Sequence, residues 1–306
     1  MQLSKNEFRC GYVALIGRPN VGKSTLINVF LGQKVAAVSP KPQTTRQRQL
    51  GILTTRDDQL VFVDTPGIHI PHHKLGKAMN AVAREVLMEA DVILWIVDVS
   101  RSPHEEDHLI ASQLIEINPL PPVVLALNKV DALADDLHSK REEQYHQLLT
   151  CAQQIFISAL TGYQLEQLLA CLKALLPVGE PFYPPDQITD FYEREIAADL
   201  IREAAMLFLH EEVPHAVAVR IDQYKERAEK GAYIIATLFV EKDSQKGIVI
   251  GRGGAMLKKI GTTARMSIEK MSGRKVFLEL RVKVNKNWRN NESVLRHMGY
   301  PKIEEG

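Results

Sequence analysis

Short, nearly continuous apolar runs alternate with stretches of helical periodicity along the first 176 residues. The apolar runs are GYVALIG from Gly11, LVFVDT from Leu60, VILWIVDV from Val92, PVVLALN from Pro122 and QIFISA from Gln154. Between or after them, apolar residues recur three and four apart in KSTLINVFLG, LGKAMNAVAREVLMEA, SPHEEDHLIASQLIEI, HSKREEQYHQLLTCA and QLEQLLACLKALL. This alternation predicts right-handed βαβ units in a doubly wound, mostly parallel α/β sheet. RQLGILTTRDDQLVFVDT instead predicts one antiparallel edge hairpin, and Ser102 before Pro103 indicates a helix start.

The pattern changes after residues 177–186, PVGEPFYPPD, which contain four prolines and favour an extended, stiff connector. Beyond them we predict a helix in TDFYEREIAADLIREAAMLFL, two strands in AVAVRIDQY and AYIIATLFVE, a glycine turn, a helix in AMLKKIGTTARMSIEKM and a strand in KVFLELRVKV. This order is typical of an α+β module. The sequence therefore predicts a first domain at 1–176, a linker at 177–187 and a second domain with a short tail at 188–306.

Charge is distributed unevenly along the 306 residues, although the formal net charge is only +1. Residues 242–289 carry thirteen Lys and Arg against three Asp and Glu, so this stretch has a charge of +10 and the rest of the chain −9. Such a basic stretch suggests a face that binds a polyanion, and the alternative is an ordinary solvated surface.

The composition is that of a globular protein, with 45% hydrophobic and 25% charged residues. No apolar stretch reaches the roughly 18 residues of a membrane span, and the first residues lack a signal-peptide pattern. Cys10, Cys151 and Cys171 show no metal-binding or disulfide spacing. We therefore expect a cytoplasmic protein.

The loop GRPNVGKST joins the first predicted strand to the first predicted helix and satisfies the pattern G-x-x-x-x-G-K-[ST]. Its backbone amides and the helix N-terminus can surround phosphates. Lys23 can reach the β and γ phosphates, and the Ser24 hydroxyl can ligate Mg²⁺. The predicted nucleotide contacts of this loop are Gly17, Arg18, Pro19, Asn20, Val21, Gly22, Lys23, Ser24 and Thr25.

Three further motifs follow predicted strands, at the edge where open α/β sheets bind ligands. In DTPG, Asp64 is placed to hold Mg²⁺ and the Gly67 amide can sense a γ-phosphate. In NKVD, the Asp131 carboxylate can accept two hydrogen bonds from guanine that adenine cannot donate, which selects GTP over ATP. ISAL can offer the Ala159 amide to the guanine oxygen. The predicted contacts are Asp64, Thr65, Pro66 and Gly67, then Asn128, Lys129, Val130 and Asp131, then Ser158, Ala159 and Leu160.

Together, GRPNVGKST, QTTR at 43–46, DTPG, NKVD and SAL resemble the five motifs of translation-factor-like P-loop GTPases, and GRPNVGKSTLIN is similar to their Era-like branch. The resemblance implies that Thr44 or Thr45 closes over Mg²⁺ in the GTP state, and the spacing does not decide which. The candidate catalytic residues are Lys23, Thr44, Thr45, Gly67 and Asn20, and the candidate metal ligands are Ser24, Thr44, Thr45 and Asp64. Nucleotide state is expected to reorder loops 34–48 and 68–77 and to change how the two domains sit across the connector.

Ile68 occupies the position where small signalling GTPases place a glutamine that orients the attacking water. Isoleucine cannot hydrogen-bond water, so hydrolysis should be slow or should use another group. The resemblance implies Asn20, acting through a K⁺ ion near the phosphates, whereas ordinary turn chemistry is an equally weighted alternative for this residue. His69, His72 and His73 lack cysteine or carboxylate companions, and we interpret them as solvated rather than as a metal site.

GRGG at 251–254 stands between the apolar run GIVI and a helix whose apolar stripe comprises Leu257, Ile260, Ala264, Ile268 and Met271. Such a GxxG turn, with this order of strands and helices, resembles a type II KH domain, in which the turn admits a single-stranded nucleic-acid backbone. The candidate RNA-binding residues are Gly251, Arg252, Gly253, Gly254, Lys258 and Lys259. For Arg274 and Lys286 a solvated surface role is favoured over direct contact.

The resemblance, which covers nearly the whole chain, implies a monomeric GTP/GDP switch that uses Mg²⁺, binds the 3′ region of 16S ribosomal RNA and assists assembly of the 30S subunit. It also allows a peripheral contact with the inner membrane. A tRNA-modifying GTPase would need further catalytic domains, which this sequence does not display. A regulatory GTPase that uses its basic stretch on anionic lipid is the other alternative.

Overall fold

The computed structural model describes residues 7–39, 41, 45–190, 193–227, 231–298 and 300. The chain divides into two compact units. The first unit comprises Met1–Gly32, Arg46–Ile70 and Met79–Asp190, and the second comprises Gln33–Thr45, Pro71–Ala78 and Phe191–Gly306. Within the described residues, no helix combines the length and the apolar character that crossing a membrane requires.

A six-stranded sheet forms the centre of the first unit. Its strands are β1 (Arg9–Ile16), β2 (Gln49–Thr54), β3 (Asp58–Asp64), β4 (Val92–Asp98), β5 (Val123–Asn128) and β6 (Gln153–Phe156), in the order β2-β3-β1-β4-β5-β6. Only β2, at one edge, pairs antiparallel to its neighbour. Strands β3, β4 and β5 are buried at every position, which explains their continuous apolar runs. The predicted doubly wound, mostly parallel sheet with an antiparallel edge hairpin is confirmed.

Five helices belong to the βαβ succession along this part of the chain. They are α1 (Lys23–Leu31), α2 (Lys74–Glu89), α3 (Glu105–Ile115), α4 (His138–His146) and α5 (Leu165–Leu175). The prediction that Ser102 starts a helix is wrong: α3 begins three residues later, because His104 caps it and Asp107 accepts a hydrogen bond from the His104 amide at 2.9 Å. Strand β6 is also shorter than its apolar run, so ISAL lies in the loop beyond it.

The proline-rich segment contains no helix and is hydrogen-bonded along the first unit. The Cys10 amide donates to the Pro177 carbonyl at 3.1 Å. Gln59, fully buried on β3, accepts from the amides of Phe182 at 2.8 Å and Tyr183 at 3.0 Å. These bonds satisfy a buried side-chain amide and hold the extended backbone in place.

The second unit is an α+β module with a three-stranded sheet. Its elements are α6 (Glu193–Phe208), α7 (Val213–Ala216), β7 (Ala218–Arg227), β8 (Gly231–Val240), α8 (Asp243–Ile250), α9 (Ala255–Ser272), β9 (Lys275–Val284) and α10 (Glu292–His297). Central β8 is antiparallel to β7 and parallel to β9. The apolar stripe of α9 packs with α6 and one face of the sheet in a single core.

Helix α8 is absent from the sequence prediction, which interpreted GIVI as a plain apolar run. The helix has eight residues and begins with the polar stretch DSQK, and only Gln245 and Val249 are buried. Its pattern is therefore too short and too polar to indicate a helix.

Two buried side chains hold distant segments of the second unit. Glu203 on α6 accepts from Lys34 Nζ at 2.6 Å and from the Val38 amide at 3.1 Å. Trp288 is fully buried, and its Nε1 donates to the Ala216 carbonyl at 2.9 Å. Trp288 in the tail, and Lys34 and Val38 in the 33–39 segment, are thus tied to the module by specific polar contacts.

Candidate functional site

Strand β1 ends at Ile16, and the next residues turn sharply into helix α1. Asn20 and Gly22 both have left-handed backbone conformations, with φ of 64° and 110°. A Cβ on Gly22 would lie 2.3 Å from Nδ2 of Asn128, a separation that real Cβ atoms essentially never show. Glycine is therefore required at position 22 both by its φ angle and by its close neighbour.

Lys23 is the first residue of α1 and is only 6% exposed. Its Nζ donates to the Gly17 carbonyl at 3.0 Å and to the Arg18 carbonyl at 3.1 Å. Burial lowers the pKa of this ammonium to about 8; Asp64 and Glu106 oppose the shift, and Arg18 adds to it. The loop thus encloses a desolvated cation that an incoming phosphate would stabilise.

Ser24 and Asp64 bring two oxygen donors together beside this loop. The Ser24 hydroxyl donates to Asp64 Oδ2 at 2.8 Å, and Asp64 is fully buried at the end of β3. A hydroxyl and a carboxylate are the hard oxygen ligands that suit Mg²⁺, which takes its remaining ligands from phosphate and water. The donor set therefore fits a magnesium ion held with a nucleotide.

The DTPG segment packs directly on the phosphate loop. A Cβ on Gly67 would lie 2.6 Å from the backbone nitrogen of Pro19, and the Ile68 amide donates to the Gly17 carbonyl at 3.3 Å. Thr65, fully buried, donates from its hydroxyl to the Leu15 carbonyl at 2.6 Å. The Ile68 side chain lies in the main core of the first unit, so it cannot position a water molecule at the phosphates.

Asn128 links three of the sequence motifs through its side-chain amide. Its Nδ2 donates to the Val21 carbonyl at 2.7 Å, and its Oδ1 accepts from the Ala159 amide at 2.9 Å. The expectation that the Ala159 amide is offered to guanine therefore differs from the structure, because Asn128 already accepts this hydrogen bond. The NKVD motif is thus hydrogen-bonded directly to the phosphate loop and to the ISAL motif.

The remaining residues of the NKVD and ISAL motifs differ in exposure. Asp131 is exposed on a single 3-10 turn, where its carboxylate can accept from a base. Ser158 is fully buried, and its Oγ accepts from the Thr161 amide at 3.1 Å. Leu160 is 81% exposed, so an apolar side chain lies open beside the expected base position.

Sequence reasoning missed two aspartates that hold site residues. Asp98, at the end of β4, accepts from Lys129 Nζ at 2.7 Å. Burial alone would raise the pKa of Asp98, but hydrogen bonds from Lys129 and Ser100 hold it below its ordinary value. Asp107, fully buried on α3, accepts from Arg18 Nε at 3.0 Å. Neither aspartate belongs to a motif, so no sequence signal indicated its partner.

His69 also departs from the interpretation of a solvated histidine cluster. It is only 7% exposed; its Nδ1 lies 2.9 Å from the Gly67 carbonyl, and its own carbonyl accepts from Asn80 Nδ2 at 2.8 Å. His72 and His73 are exposed, as expected. Among the described residues no group of His, Cys, Asp and Glu has the arrangement of a metal site.

Two predictions about the catalytic residues are not decided by the structure. Asn20 is exposed and has a left-handed φ, which asparagine tolerates better than most residues, so the structure agrees with a role in the turn and does not test a role toward K⁺. Its role toward K⁺ stays a prediction. Thr44 lies outside the described residues, and the choice between Thr44 and Thr45 as a magnesium ligand stays open.

In the second unit, the GRGG turn connects α8 to α9. Gly251, Gly253 and Gly254 all have positive φ, at 71°, 60° and 79°. A Cβ on Gly251 would lie 2.7 Å from the Met256 Cβ, whereas no atom of the described residues lies within 4 Å of a Cβ on Gly253 or Gly254. The turn is therefore fixed at its first glycine and open at the other two.

The basic residues near this turn have different surroundings. Arg252 and Lys258 are exposed. Lys259 is also exposed, but its Nζ lies 4.2 Å from the centre of the Phe208 ring on α6, a cation–π contact. Arg274 donates to Glu193 at 2.7 Å, which agrees with a structural role, and Lys286 is exposed.

The fold and the first site define a P-loop GTPase domain joined to a KH module. A family model described as a 50S ribosome-binding GTPase matches residues 12–129, and a KH domain model matches residues 212–289. The first match lies mostly in the first unit and the second match in the second unit, largely within their described residues.

Individual relatives match nearly the whole chain. GTPase Era of Staphylococcus haemolyticus and GTPase Era of Heliobacterium modesticaldum are each 44% identical over 294 residues, which is 96% of this chain and 98% of each relative. Solved structures of Era with MgGDPNP and nucleotides 1506–1542 of 16S ribosomal RNA, and of a single-substitution variant of Aquifex aeolicus Era with GDP and AlF4⁻, are each 39% identical. Each has a TM-score of 0.90 and matches over 96% of this chain and all of its own. The chain belongs to the Era family of GTPases.

Proposed function

We propose that this chain is a GTP-hydrolysing switch that binds 16S ribosomal RNA through its KH module and assists assembly of the 30S subunit. One observation carries the proposal: the chain holds both a phosphate loop and an open glycine turn, and it matches over both units an Era structure that contains MgGDPNP and 16S RNA. We propose that the first unit binds the nucleotide with Mg²⁺ and that the second unit binds the RNA.

In the proposed nucleotide site, the 17–24 loop surrounds the phosphates and Lys23 neutralises the β and γ oxygens. Ser24 and Asp64 hold Mg²⁺, which when bound neutralises phosphate charge. The Gly67 amide donates to the γ-phosphate, and Asp131 accepts from guanine. We place Lys129 beside the base in this proposal, which is supported by the 2.7 Å ion pair through which Asp98 holds its ammonium. Charge neutralisation and positioning are the main contributions a protein makes to phosphoryl transfer.

Because Ile68 is buried in the core, the attacking water has to be oriented by another group. We assign this part of catalysis to a K⁺ ion held with the help of Asn20. Turnover of GTP should then be faster in potassium than in sodium buffer of equal ionic strength. Asn20→Gly keeps the left-handed turn and should remove the difference; equal wild-type turnover in the two buffers would contradict the assignment.

The proposed RNA groove lies beside the glycine turn, between α8, the start of α9 and β9. Leu278, Leu280 and Val282 on β9 pack against the core but stay partly exposed, as do Met256 and Leu257 on α9. Splayed bases can therefore contact apolar side chains while the backbone approaches Gly253 and Gly254, which no neighbour crowds. Arg252 and Lys258 supply phosphate contacts, so the affinity should fall steeply with salt.

The experiment is RNA binding by fluorescence anisotropy across a salt series, with GDP and with a non-hydrolysable GTP analogue. The double variant Arg252→Asp with Gly253→Asp should lose RNA affinity. Lys286→Asp with Asn287→Asp makes the same change of charge at exposed positions and should retain most of it. Unchanged RNA affinity in the first variant would overturn the KH assignment.

A cytoplasmic location with a peripheral inner-membrane contact is the remaining part of the proposal, and it rests on the +10 charge of residues 242–289. Competition between a 16S-derived RNA and vesicles of anionic lipid distinguishes the two polyanions. We expect RNA to displace vesicles; the reverse result would favour a regulatory GTPase at the membrane.

A further inference from the structure

Among the described residues, the three-stranded sheet of the second unit packs one face into the helical core, and its other face is open at the Tyr233 end but buried at Thr237 and Phe239. Residues of one parity, including Ala232, Ile234 and Leu238 on β8, are buried in the core with α6 and α9. Residues of the other parity lie on the opposite face, because side chains alternate along a strand. We call this the outer face; across it, Tyr233 on β8 is paired with Phe277 on β9.

An aromatic pair lies on the outer face, with Phe277 exposed and Tyr233 half-buried. The rings of Tyr233 and Phe277 are stacked, with centroids 5.3 Å apart and planes 18° apart. Phe277 is 61% exposed, although an aromatic ring of this size is usually covered. A flat, exposed aromatic surface on a sheet is the kind of platform on which nucleic-acid bases stack.

Basic side chains surround this pair. Among the described side chains, the outer face carries five exposed cations, Arg220, Lys225, Lys275, Arg281 and Lys283. The same described part of the face carries two acids, and both are engaged by neighbours. Glu279 accepts from the Tyr233 hydroxyl at 3.1 Å and from Arg281 at 2.9 Å, and Asp222 accepts from Thr237 at 2.6 Å and Arg220 at 2.8 Å. The surface therefore has the charge that suits a phosphate backbone rather than an apolar protein face.

Strand β9 connects this face to the proposed RNA groove. It is an edge strand, and its alternate residues Leu278, Leu280 and Val282 lie on the groove side. Phe277, Arg281 and Lys283 lie on the other side of the same strand. A single strand that leaves the groove across this edge meets the aromatic pair next.

We propose that the outer face is a second contact for single-stranded RNA, in which Tyr233 and Phe277 stack bases adjoining those held at the glycine turn. The basic residues around the pair contact the phosphates of the same segment. This inference rests on the proposed RNA-binding function and extends the length of RNA that the module holds.

The test compares an unstructured RNA of about four nucleotides, which the glycine turn alone accommodates, with one of about twelve. Phe277→Ala should weaken binding of the longer RNA about tenfold and leave the shorter one unchanged, because one stacking contact is lost. Phe277→Trp should retain the affinity, and its fluorescence should be quenched by the longer RNA only. Thermal unfolding of both variants should match the parent protein, since the side chain is exposed.

Unchanged binding of the longer RNA by Phe277→Ala, or no quenching in Phe277→Trp, would overturn the inference. The outer face would then bind something other than single-stranded RNA. The glycine-turn variant distinguishes the two proposals, since it should weaken both RNAs. If the parent protein binds neither RNA, the proposed function fails and this inference fails with it.

Discussion

The two glycine turns of this chain begin from similar sequences and are built differently. In the first, Gly22 lies against Asn128, and Gly67 from another segment closes on Pro19. In the second, a Cβ on Gly251 would lie 2.7 Å from the Met256 Cβ, and the contacts of the turn that the structure describes come from its own helices α8 and α9. The first turn is enclosed by two other segments of its unit, whereas the second is open to the surface at Gly253.

This difference corresponds to the ligand that each turn suits. A nucleotide is small, so an enclosed loop can surround its phosphates and can bury Lys23, which is only 6% exposed. A polynucleotide is long, so its backbone has to pass across the turn, and exposed glycines such as Gly253 leave room for it. An enclosed loop can stabilise the charge of a small ligand, whereas an open turn can hold part of a long polynucleotide.

The largest effect is expected where the enclosed turn is most crowded. Gly22→Ala places a Cβ 2.3 Å from Asn128 at a φ of 110°, so guanine-nucleotide affinity should fall by at least about a hundredfold, or about 3 kcal/mol. Titration with a fluorescent GDP measures it. Gly32→Ala, with φ 65° and open space around it, should cost about 1 kcal/mol of stability and leave the affinity unchanged. Near-normal GDP binding by Gly22→Ala would mean that the loop is not enclosed.

The open GRGG turn should tolerate a side chain at Gly253 without unfolding, but the substituted protein should bind RNA more weakly. Gly253→Asn retains a left-handed residue and meets no neighbour within 4 Å, so the fold should persist while RNA binding weakens about tenfold by obstruction. Gly273→Asn is the matched control, since it has φ 68° and open space at the end of α9. Equal RNA affinities for the two variants would show that openness at position 253 has no role.

Enclosure also predicts a pH dependence. Burial lowers the pKa of Lys23 to about 8 without ligand, and bound phosphate favours the ammonium, so GDP binding should take up a proton above about pH 8. The affinity for GDP should be independent of pH below about pH 7 and should be about tenfold lower by about pH 9. Calorimetry in two buffers with different ionisation enthalpies counts the protons.

The unfolding free energy of the ligand-free protein should rise between pH 8 and 10.5, because only the unfolded state keeps the Lys23 proton in that range.

The smallest effect concerns the ion pair of Lys129 beside the proposed base position. Asp98→Asn removes the ion pair with Lys129, whose side chain is 36% exposed, so guanine-nucleotide affinity should fall by about 0.5–1 kcal/mol, two- to fivefold. Stopped-flow release of a fluorescent GDP should show the change as faster dissociation. Asp135→Asn, at a fully exposed aspartate, should leave the rate unaltered. No change at Asp98 would place Lys129 outside the base contact.

Much of the fold was predictable because its signals are local. The continuous apolar runs of β3, β4 and β5 indicated a sheet buried on both faces, and this was confirmed. Helix α8 was missed, because only two of its eight residues are buried and they produce no helical period of apolar residues in the sequence. The strand–loop–helix setting of Lys23 was also visible, since motif and context are contiguous. The roles assigned to individual site residues, and the domain limits at 176 and 187, stay predictions.

The sequence by itself determined the class of chemistry, because a phosphate loop, a DTPG segment and an NKVD segment each need particular residues at fixed spacing. Only the tertiary structure decided which groups meet. Asn128 reaches Val21 and Ala159, and Asp107 reaches Arg18 across 89 positions of sequence. Such pairs depend on how β1, β4 and β5 are ordered in the sheet. Burial depends on that order too, and it is burial that turns Lys23 into a cation with a depressed pKa.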